Sequence, residues 1–264
     1  MSINAMSARI LSIALILLFG VASISAARQS PSRQPDDPRL GEKKDVSDKY
    51  LLARIRFGPP PSPYDHLGDG AVEWSHDYPH SGIHLAKILS ELSKLQVNPD
   101  TNEYIFSFAD PNLFKYPVAY LCEVGAMDLT DEEVAGMREY LLRGGFVMVD
   151  DFRGGYSFQV LEYNVKRALP EFEIKELDVK HPVFNCFFSI KTLDVLPPPI
   201  YRRQGLRPKF LGVEDKNGRL MMVINYNNDV SDYWQWSNDP FQPVDDTNEA
   251  YKFGVNYLFY AMTH

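Results

Sequence analysis

One stretch of the sequence constrains the fold more than any other: residues 140–152, YLLRGGFVMVDDF. A helical pattern ends at Gly144 and Gly145, an apolar strand follows, and Asp150 and Asp151 stand where that strand ends. In an open α/β sheet, ligands bind outside the carboxyl ends of the strands. The two aspartates are therefore the first candidates for a functional site.

The rest of the chain alternates between strand-like and helix-like patterns. Because strands that alternate with helices form parallel sheets, the pattern predicts a mostly parallel α/β sheet with helices on both faces. The predicted strands are residues 50–57, 104–108, 116–124, 146–149 and 171–179, with a late hairpin of residues 210–214 and 220–226. The predicted helices are residues 81–95, 131–143, 158–169 and 248–262, with a turn at residues 153–155 and irregular chain at 181–199 and 227–244.

The clearest local signal precedes the Asp-Asp strand. Thr130 and Glu133 have the spacing of a capping box, and Leu129 and Val134 occupy the hydrophobic staple positions around it. Gly144 suits the position just after the end of a helix. These residues predict a well-delimited helix that feeds directly into the strand.

The first 27 residues have the three-part pattern of a secretory signal peptide. A short segment carrying Arg9 precedes the apolar run of residues 10–21, and small residues up to Ala27 suit cleavage. We expect cleavage near Ala27 rather than an uncleaved anchor, because the run is short for a span of about 20 residues. The sequence thus predicts export to the periplasm, a disordered linker at 28–48, one domain at 49–264 and no membrane span in the mature chain.

Charge and cysteine content narrow the classes of partner. The formal net charge is −8, from 27 basic and 35 acidic residues, and this disfavours nucleic acid and anionic membrane surfaces. Two cysteines, Cys122 and Cys186, would enter an oxidising compartment. A disulfide is compatible with that compartment, but both lie in apolar contexts where buried free thiols are common.

The strand-end carboxylates have two interpretations each. Asp150 and Asp151 can hold a metal ion, a sugar or a catalytic water. Alternatively, one of them can cap the next helix or accept amide hydrogens near residues 153–155. Glu123 ends a buried strand, where a carboxylate is costly to bury unless it is paired. It either faces the same crevice or lies at a strand end already exposed to water, and we favour the second interpretation.

A second candidate cluster comprises His76, Asp77 and His80, with His84 one turn further on. Histidines four residues apart share one face of a helix and can bind a metal. Pro79 opposes a continuous helix here, since proline is best tolerated in the first turn. We therefore favour a solvated helix start over a divalent metal site, and no other cofactor is predicted.

Two aromatic segments complete the candidates for ligand binding. Trp74 can stack on a ligand, but we favour its anchoring a long loop on the core. Residues 229–236, DVSDYWQW, combine Asp229 and Asp232 with three large aromatic side chains. Such a mixture suits carbohydrate or peptide contact, and it equally suits a loop that covers the sheet edge.

Several of these segments together resemble a known family. YPVAYLCEVG, LTDEEVAGMREYLLRGGFVMVDDF, NNDVSDYW and NEAYKFGVNYLFYAMTH look like the bacterial domain of unknown function DUF4159, over nearly all of residues 50–264. Such domains are similar in plan to class I glutamine amidotransferase-like and trehalose-utilisation (ThuA-like) proteins. The resemblance implies a flavodoxin-like three-layer sandwich, and it implies no reaction.

The amidotransferase chemistry itself is not expected. Those enzymes use a cysteine on a glycine-flanked elbow and a late His-Glu pair, whereas Cys122 lies within an apolar strand and His181 is followed by Pro182. No G-x-S-x-G elbow or phosphate-binding loop occurs either. The sequence therefore predicts a non-catalytic envelope module that binds a protein or carbohydrate. The alternative is a metal-dependent hydrolase acting on a glycan.

Overall fold

The computed structural model describes residues 52–59, 67–68, 72–95, 104–195 and 198–264. The predicted signal peptide and linker lie outside these residues. One seven-stranded sheet organises the described part, in the order β2-β1-β3-β4-β7-β6-β5. Its strands are β1 (Ala53–Ile55), β2 (Tyr104–Phe106), β3 (Val118–Cys122), β4 (Phe146–Asp150), β5 (Ile174–Glu176), β6 (Lys209–Glu214) and β7 (Leu220–Tyr226).

The strand directions confirm a mostly parallel sheet. The neighbours from β2 through β1, β3 and β4 to β7 are all parallel, and β6 runs antiparallel to both β7 and β5. The carboxyl ends of β1, β3, β4 and β7 therefore lie along one edge of the sheet. The late hairpin is confirmed as β6 and β7. Its strand β7 pairs with β4, so the hairpin lies between β4 and the edge strand β5.

Six helices cover the two faces within the described residues: α1 (His80–Leu92), α2 (Asp131–Leu142), α3 (Gly154–Ala168), α4 (Pro199–Arg203), α5 (Val230–Gln235) and α6 (Val244–Thr263). Alternate side chains along β4 enter two separate cores. Val147 and Val149 pack with residues of α2 and α3, whereas Phe146 and Met148 pack with residues of α1, α5 and α6. The prediction of helices on both faces is thus confirmed, and none of the described helices is long and apolar enough to cross a membrane.

The unit β3-α2-β4 matches its prediction closely. Thr130 Oγ1 accepts the backbone N–H of Glu133, and the Glu133 carboxylate accepts the backbone N–H of Thr130. The reciprocal pair is the predicted capping box. Gly144 has φ +110° just past the helix, where a glycine reaches the left-handed region without a side-chain clash. The strand after it delivers Asp150 and Asp151 to the sheet edge.

Three segments differ from the prediction by the presence or the start of a helix. Residues 154 and 155 were predicted as a turn, but α3 begins at Gly154, whose N–H donates to Asn227 Oδ1 at 2.9 Å. Residues 227–244 were predicted as loop, but they contain the short helix α5, which is too short to show helical periodicity. The last helix starts at Val244, four residues before its predicted start.

Both cysteines are free thiols. Cys122 is buried in β3, and its Sγ accepts a hydrogen bond from the Arg54 guanidinium at 3.3 Å. Cys186 is exposed. The disulfide that the sequence left open is not formed.

Candidate functional site

Four acidic side chains follow the carboxyl ends of three neighbouring strands. Glu123 follows β3, Asp150 ends β4 with Asp151 next to it, and Asp229 lies three residues after β7. The backbone N–H of Glu123 donates to the carbonyl of Asp151 at 3.1 Å, which ties the ends of β3 and β4 together. The predicted strand-end candidates therefore share one edge of the sheet.

A loop after β1 brings a histidine to the same edge. Arg54, fully buried in β1, donates to the carbonyl oxygens of Trp74 at 3.1 Å and His76 at 2.9 Å. Its guanidinium also lies 4.6 Å from the centroid of the Tyr120 ring. Because a buried cation needs acceptors, Arg54 fixes the path of the loop from Trp74 to Asp77.

His76, Asp77 and Asp151 form a compact donor group. His76 Nδ1 contacts Asp151 Oδ2, and it lies 3.7 Å from Asp77 Oδ1. One donor atom from each residue lies within 4.8 Å of the others. Ligands about 2.0–2.5 Å from a metal ion are separated by distances of this size, so the three residues can coordinate one cation. The His76 side chain is 33% exposed, which leaves the group open to solvent on that side.

His80, predicted to join His76 and Asp77, is not part of this group. The chain turns between Asp77, which has φ +62°, and the start of α1 at His80. His76 therefore does not lie on the helix that carries His80 and His84. The His80 ring stacks on His84 instead, with centroids 6.1 Å apart.

Asp150 is wholly buried and serves as a long-range cap for α5. Its carboxylate accepts hydrogen bonds from Asn225 Nδ2 at 2.9 Å, Val230 N at 3.2 Å and Ser231 N at 2.8 Å. As an alternative role, one aspartate was predicted to cap the next helix. Asp150 does cap a helix, but this helix lies 80 residues further along the sequence. The carboxylate satisfies amides that a helix start leaves without intrahelical partners.

Ser231 links the cap to the donor group. Its hydroxyl contacts the Asp77 carboxylate and lies 2.6 Å from the Tyr120 hydroxyl. The chain of contacts therefore runs from Asp150 through Ser231 to Asp77. Asp150 thus helps to position Asp77 of the donor group without belonging to that group itself.

The remaining candidates lie around this network. Trp74 is 1% exposed and packs in the α2/α3 core, in agreement with an anchoring role rather than an open stacking surface. Asp229 is 6% exposed, and its carboxylate accepts the backbone N–H of Asp232 at 3.0 Å. Asp232 is half-buried in the first turn of α5. The segment at 229–236 thus closes over the sheet edge as a helix.

Burial and mutual repulsion shift the proton affinities of the site. Burial, followed by repulsion from Asp151, raises the pKa of Asp77 and of Asp229 well above the ordinary aspartate value. The same two causes raise the pKa of Glu123 to about 7. Burial raises the pKa of Asp150 to about 6, although its three hydrogen-bond donors oppose the shift. Positive charge is therefore favoured at this edge.

Backbone strain is concentrated here as well. Among the described residues, four that are not glycine have positive φ: Asp77 at 62°, Glu123 at 47°, Asp151 at 49° and Asn227 at 56°. All four lie at the ends of strands or in the loop beside them. Each such conformation costs about 1–3 kcal/mol, and residues of this kind cluster at functional sites.

The sequence interpretation missed Arg54, Ser231 and Asn225. Arg54 alone left a visible signal, since an arginine at the centre of the predicted strand YLLARIRF requires a buried partner. Ser231 and Asn225 acquire their roles through contacts with distant residues. No local pattern marks them.

A comparison with protein families identifies the chain. The model of the family described as "Domain of unknown function (DUF4159)" matches residues 52–262. The chain belongs to this family. A comparison with curated proteins found no match for the DUF4159 chain. The family description assigns no reaction, so inferences about the function of this DUF4159 domain must rest on the geometry of its site.

We expect the metal-free DUF4159 domain to lose stability as the pH rises from 5 to 7. The folded pKa of Asp150 is raised from 3.8 to about 6, so its stabilising contribution is complete below the unfolded value and is lost as pH passes through 6. Asp150 alone accounts for about 1 kcal/mol over this interval, and Asp77 and Asp229 shift in the same direction. Thermal unfolding in chelator should show a midpoint at least about 2–4 °C lower at pH 7.

The interval from pH 5 to 7 lies above the titration of ordinary surface carboxylates. The pKa of Glu171 beside Arg138 is lowered to about 2, so its contribution is lost only in more acidic solution. A saturating divalent cation should flatten the profile, because it favours the ionised carboxylates. A midpoint that is constant or rises between pH 5 and 7 in chelator would contradict the prediction.

Proposed function

We propose that this chain is an exported envelope module that binds its ligand through a divalent cation. The observation that carries the proposal is the donor group of His76, Asp77 and Asp151, with its donor atoms within 4.8 Å of one another. Three protein donors leave coordination positions for an outside ligand. The partly exposed His76 supports access from solvent.

The donor types favour zinc or manganese over calcium. One imidazole and two carboxylates form a mixed nitrogen and oxygen set, whereas calcium prefers six to eight oxygen ligands. His76 Nδ1 faces the two carboxylates. Because a metal binds only the neutral form of an imidazole, protonation of His76 competes with the cation. We therefore expect cation affinity to decrease in acidic solution.

Export and fold class complete the proposal. The pattern of residues 1–27 supports a cleavable signal and a periplasmic location. A flavodoxin-like plan is supported by the order β2-β1-β3-β4, which reproduces the first four positions of the 2-1-3-4-5 order, with β7 in the fifth position. In that plan the order reverses between β1 and β3, and the loops after these strands carry His76, Asp77 and Glu123.

Protein purified without chelator should contain zinc or manganese in a 1:1 ratio by elemental analysis. At 100 times its dissociation constant, the cation should stabilise the fold by about 2.7 kcal/mol, because it binds only the folded chain. The thermal midpoint should then rise by about 5–10 °C. Asp151→Asn should abolish both effects, since it removes one charged donor.

Asp128→Asn is the matched control. Asp128 is an exposed aspartate outside the donor group, so its replacement should leave the metal content and the thermal shift unchanged. A metal-free wild-type protein whose midpoint does not respond to zinc, manganese or calcium would overturn the proposed function.

A metal-dependent hydrolase acting on a glycan is the second candidate. The favouring observation is the location of Glu123, a partly buried carboxylate beside Asp151 that lies outside the donor group. Such a carboxylate can take a proton from a cation-bound water. The test is release of soluble sugar from envelope glycan by cation-loaded protein. Glu123→Gln should retain the cation and lose the release, and equal release by this variant would exclude the role of Glu123.

A further inference from the structure

An arginine without a carboxylate partner lies beside the donor group. Arg153 follows the Asp151 strand end by two residues and is exposed, with its guanidinium carbon 4.9 Å from the centroid of the Tyr201 ring. The Tyr201 hydroxyl is the main cause that raises the pKa of Arg153. Within the described residues, no carboxylate lies within ion-pairing distance of Arg153. A guanidinium held on an aromatic ring keeps its outward N–H groups available.

Open space adjoins this arginine at the start of α3. A Cβ placed at Gly154 or Gly155 would meet no heavy atom within 4 Å. The Gly154 N–H donates to Asn227 Oδ1, and the next N–H groups in the first turn of this 15-residue helix have no acceptor within the helix. The space therefore lies next to donors that favour an anion.

A buried donor in the adjoining segment lacks an acceptor. Asn228 is fully buried, and its Nδ2 has no hydrogen-bond partner among the described residues. Asn228 is held against the strand end by a bridge to Phe152, the residue between Asp151 and Arg153. Buried donors are nearly always satisfied, so this amide requires an acceptor such as a bound water or a ligand oxygen.

We propose that the ligand carries an anionic oxygen group, a phosphate or a carboxylate, bound jointly by the cation and Arg153. This inference rests on the proposed function, because the cation is the one held by His76, Asp77 and Asp151. Arginine matches the paired oxygens of both groups, and metal ions share their coordination between carboxylates and ligand oxygens. Asn228, which is bridged to Phe152, and the first turn of α3, which follows Arg153, carry further donors in the adjoining segments.

The acidic residues around the site make binding of the anion depend on the cation. Without a cation, the negative charge of Asp151 opposes an anion at this edge, as it opposes ionisation of Asp229 and of Glu123. A divalent cation neutralises the charges of Asp77 and Asp151 and offers vacant coordination positions to an anion. Anion binding must therefore follow cation loading.

A groove provides room for the rest of such a ligand. It has a volume of about 570 Å³ and is lined by Arg202, Arg207, Asp246 and Glu249 among others. Arg202 follows the Arg153 partner Tyr201 on α4, and the carbonyl of Arg207 accepts Asn227 Nδ2 at 3.1 Å. The groove is thus lined by Arg202, the neighbour of Tyr201 on α4, and by Arg207, which contacts Asn227.

Calorimetric titration of the zinc- or manganese-loaded full-length protein with inorganic phosphate and with glucuronate tests the proposal. At least one anion should bind, and at least tenfold more weakly when the cation is removed. Binding of phosphate alone would identify a phosphorylated ligand, and binding of glucuronate alone an acidic sugar. Arg153→Ala should weaken the binding at least tenfold while the protein keeps its cation.

Arg143→Ala is the matched control, because Arg143 is likewise exposed over an aromatic ring, Phe114, but lies before β4. It should bind the anion as the wild type does. If the protein binds its cation but neither anion, or if Arg153→Ala binds as tightly as wild type, this inference falls and the proposed function stands. Equal binding without cation would indicate an adventitious ion only. Failure to bind any cation would overturn the proposed function, and this inference with it.

Discussion

Asp150→Ala is expected to lower the free energy of unfolding by about 3 kcal/mol, despite removing a buried charge. The substitution leaves the buried donors of Asn225, Val230 and Ser231 without their acceptor. Each unsatisfied buried donor costs about 1–3 kcal/mol. Relief from burying the carboxylate, whose pKa is raised to about 6, offsets part of the loss. Urea denaturation at pH 7 measures the difference.

Asp150→Asn serves as the graded comparison. An asparagine oxygen can still accept from Asn225 and Val230, but its amide group opposes the Ser231 N–H, so an intermediate loss of stability is expected. Both variants should also bind the cation more weakly, because Ser231 positions Asp77. A loss below about 0.5 kcal/mol in Asp150→Ala would show that α5 holds its position without this cap.

Arg54→Met should have an effect of similar or larger size, about 3–5 kcal/mol, since it removes a buried charge whose partners remain. The carbonyl oxygens of Trp74 and His76 lose their donor, and the cation–π contact with Tyr120 is lost. Methionine keeps an unbranched apolar stem in the same space, so the lost hydrogen bonds dominate. The loop that carries His76 and Asp77 is then released.

Two measurements distinguish this effect from general destabilisation. Cation affinity should fall at least tenfold under conditions where the variant remains folded, as circular dichroism can verify. Arg56→Met is the matched control, because Arg56 lies two residues further along the same segment and is only half-buried. It should change stability by less than about 1 kcal/mol. Unchanged cation affinity in Arg54→Met would contradict the tethering role.

The sequence alone was sufficient to predict those features of the structure that depend on residues close together in the chain. The capping box of Thr130 and Glu133, the glycine after α2 and the apolar run of β4 are local patterns, and each was confirmed. They predicted that Asp150 and Asp151 lie at the end of a central strand. The family match over residues 52–262 agrees with the resemblance carried by the same segments.

The site could not be predicted from local patterns, because its residues contact partners that are far away in the sequence. Asp150 caps a helix that no periodicity reveals, and Asp77 faces Ser231 across 154 positions of sequence. The histidine spacing suggested His80 as a partner of His76, whereas Asp151 occupies that place in three dimensions. Sequence spacing can propose partners only within one element, and this donor group joins two.

These long separations bear on how the molecule folds. The contact between His76 and Asp151 closes a loop of 75 residues, and that between Asp77 and Ser231 closes one of 154. Contacts of such separation form late, because the chain must first lose the entropy of closing those loops. Under the proposed function, the cation would therefore bind late and stabilise a chain that has already been assembled. Uptake of the metal during refolding would then report the final step of that assembly.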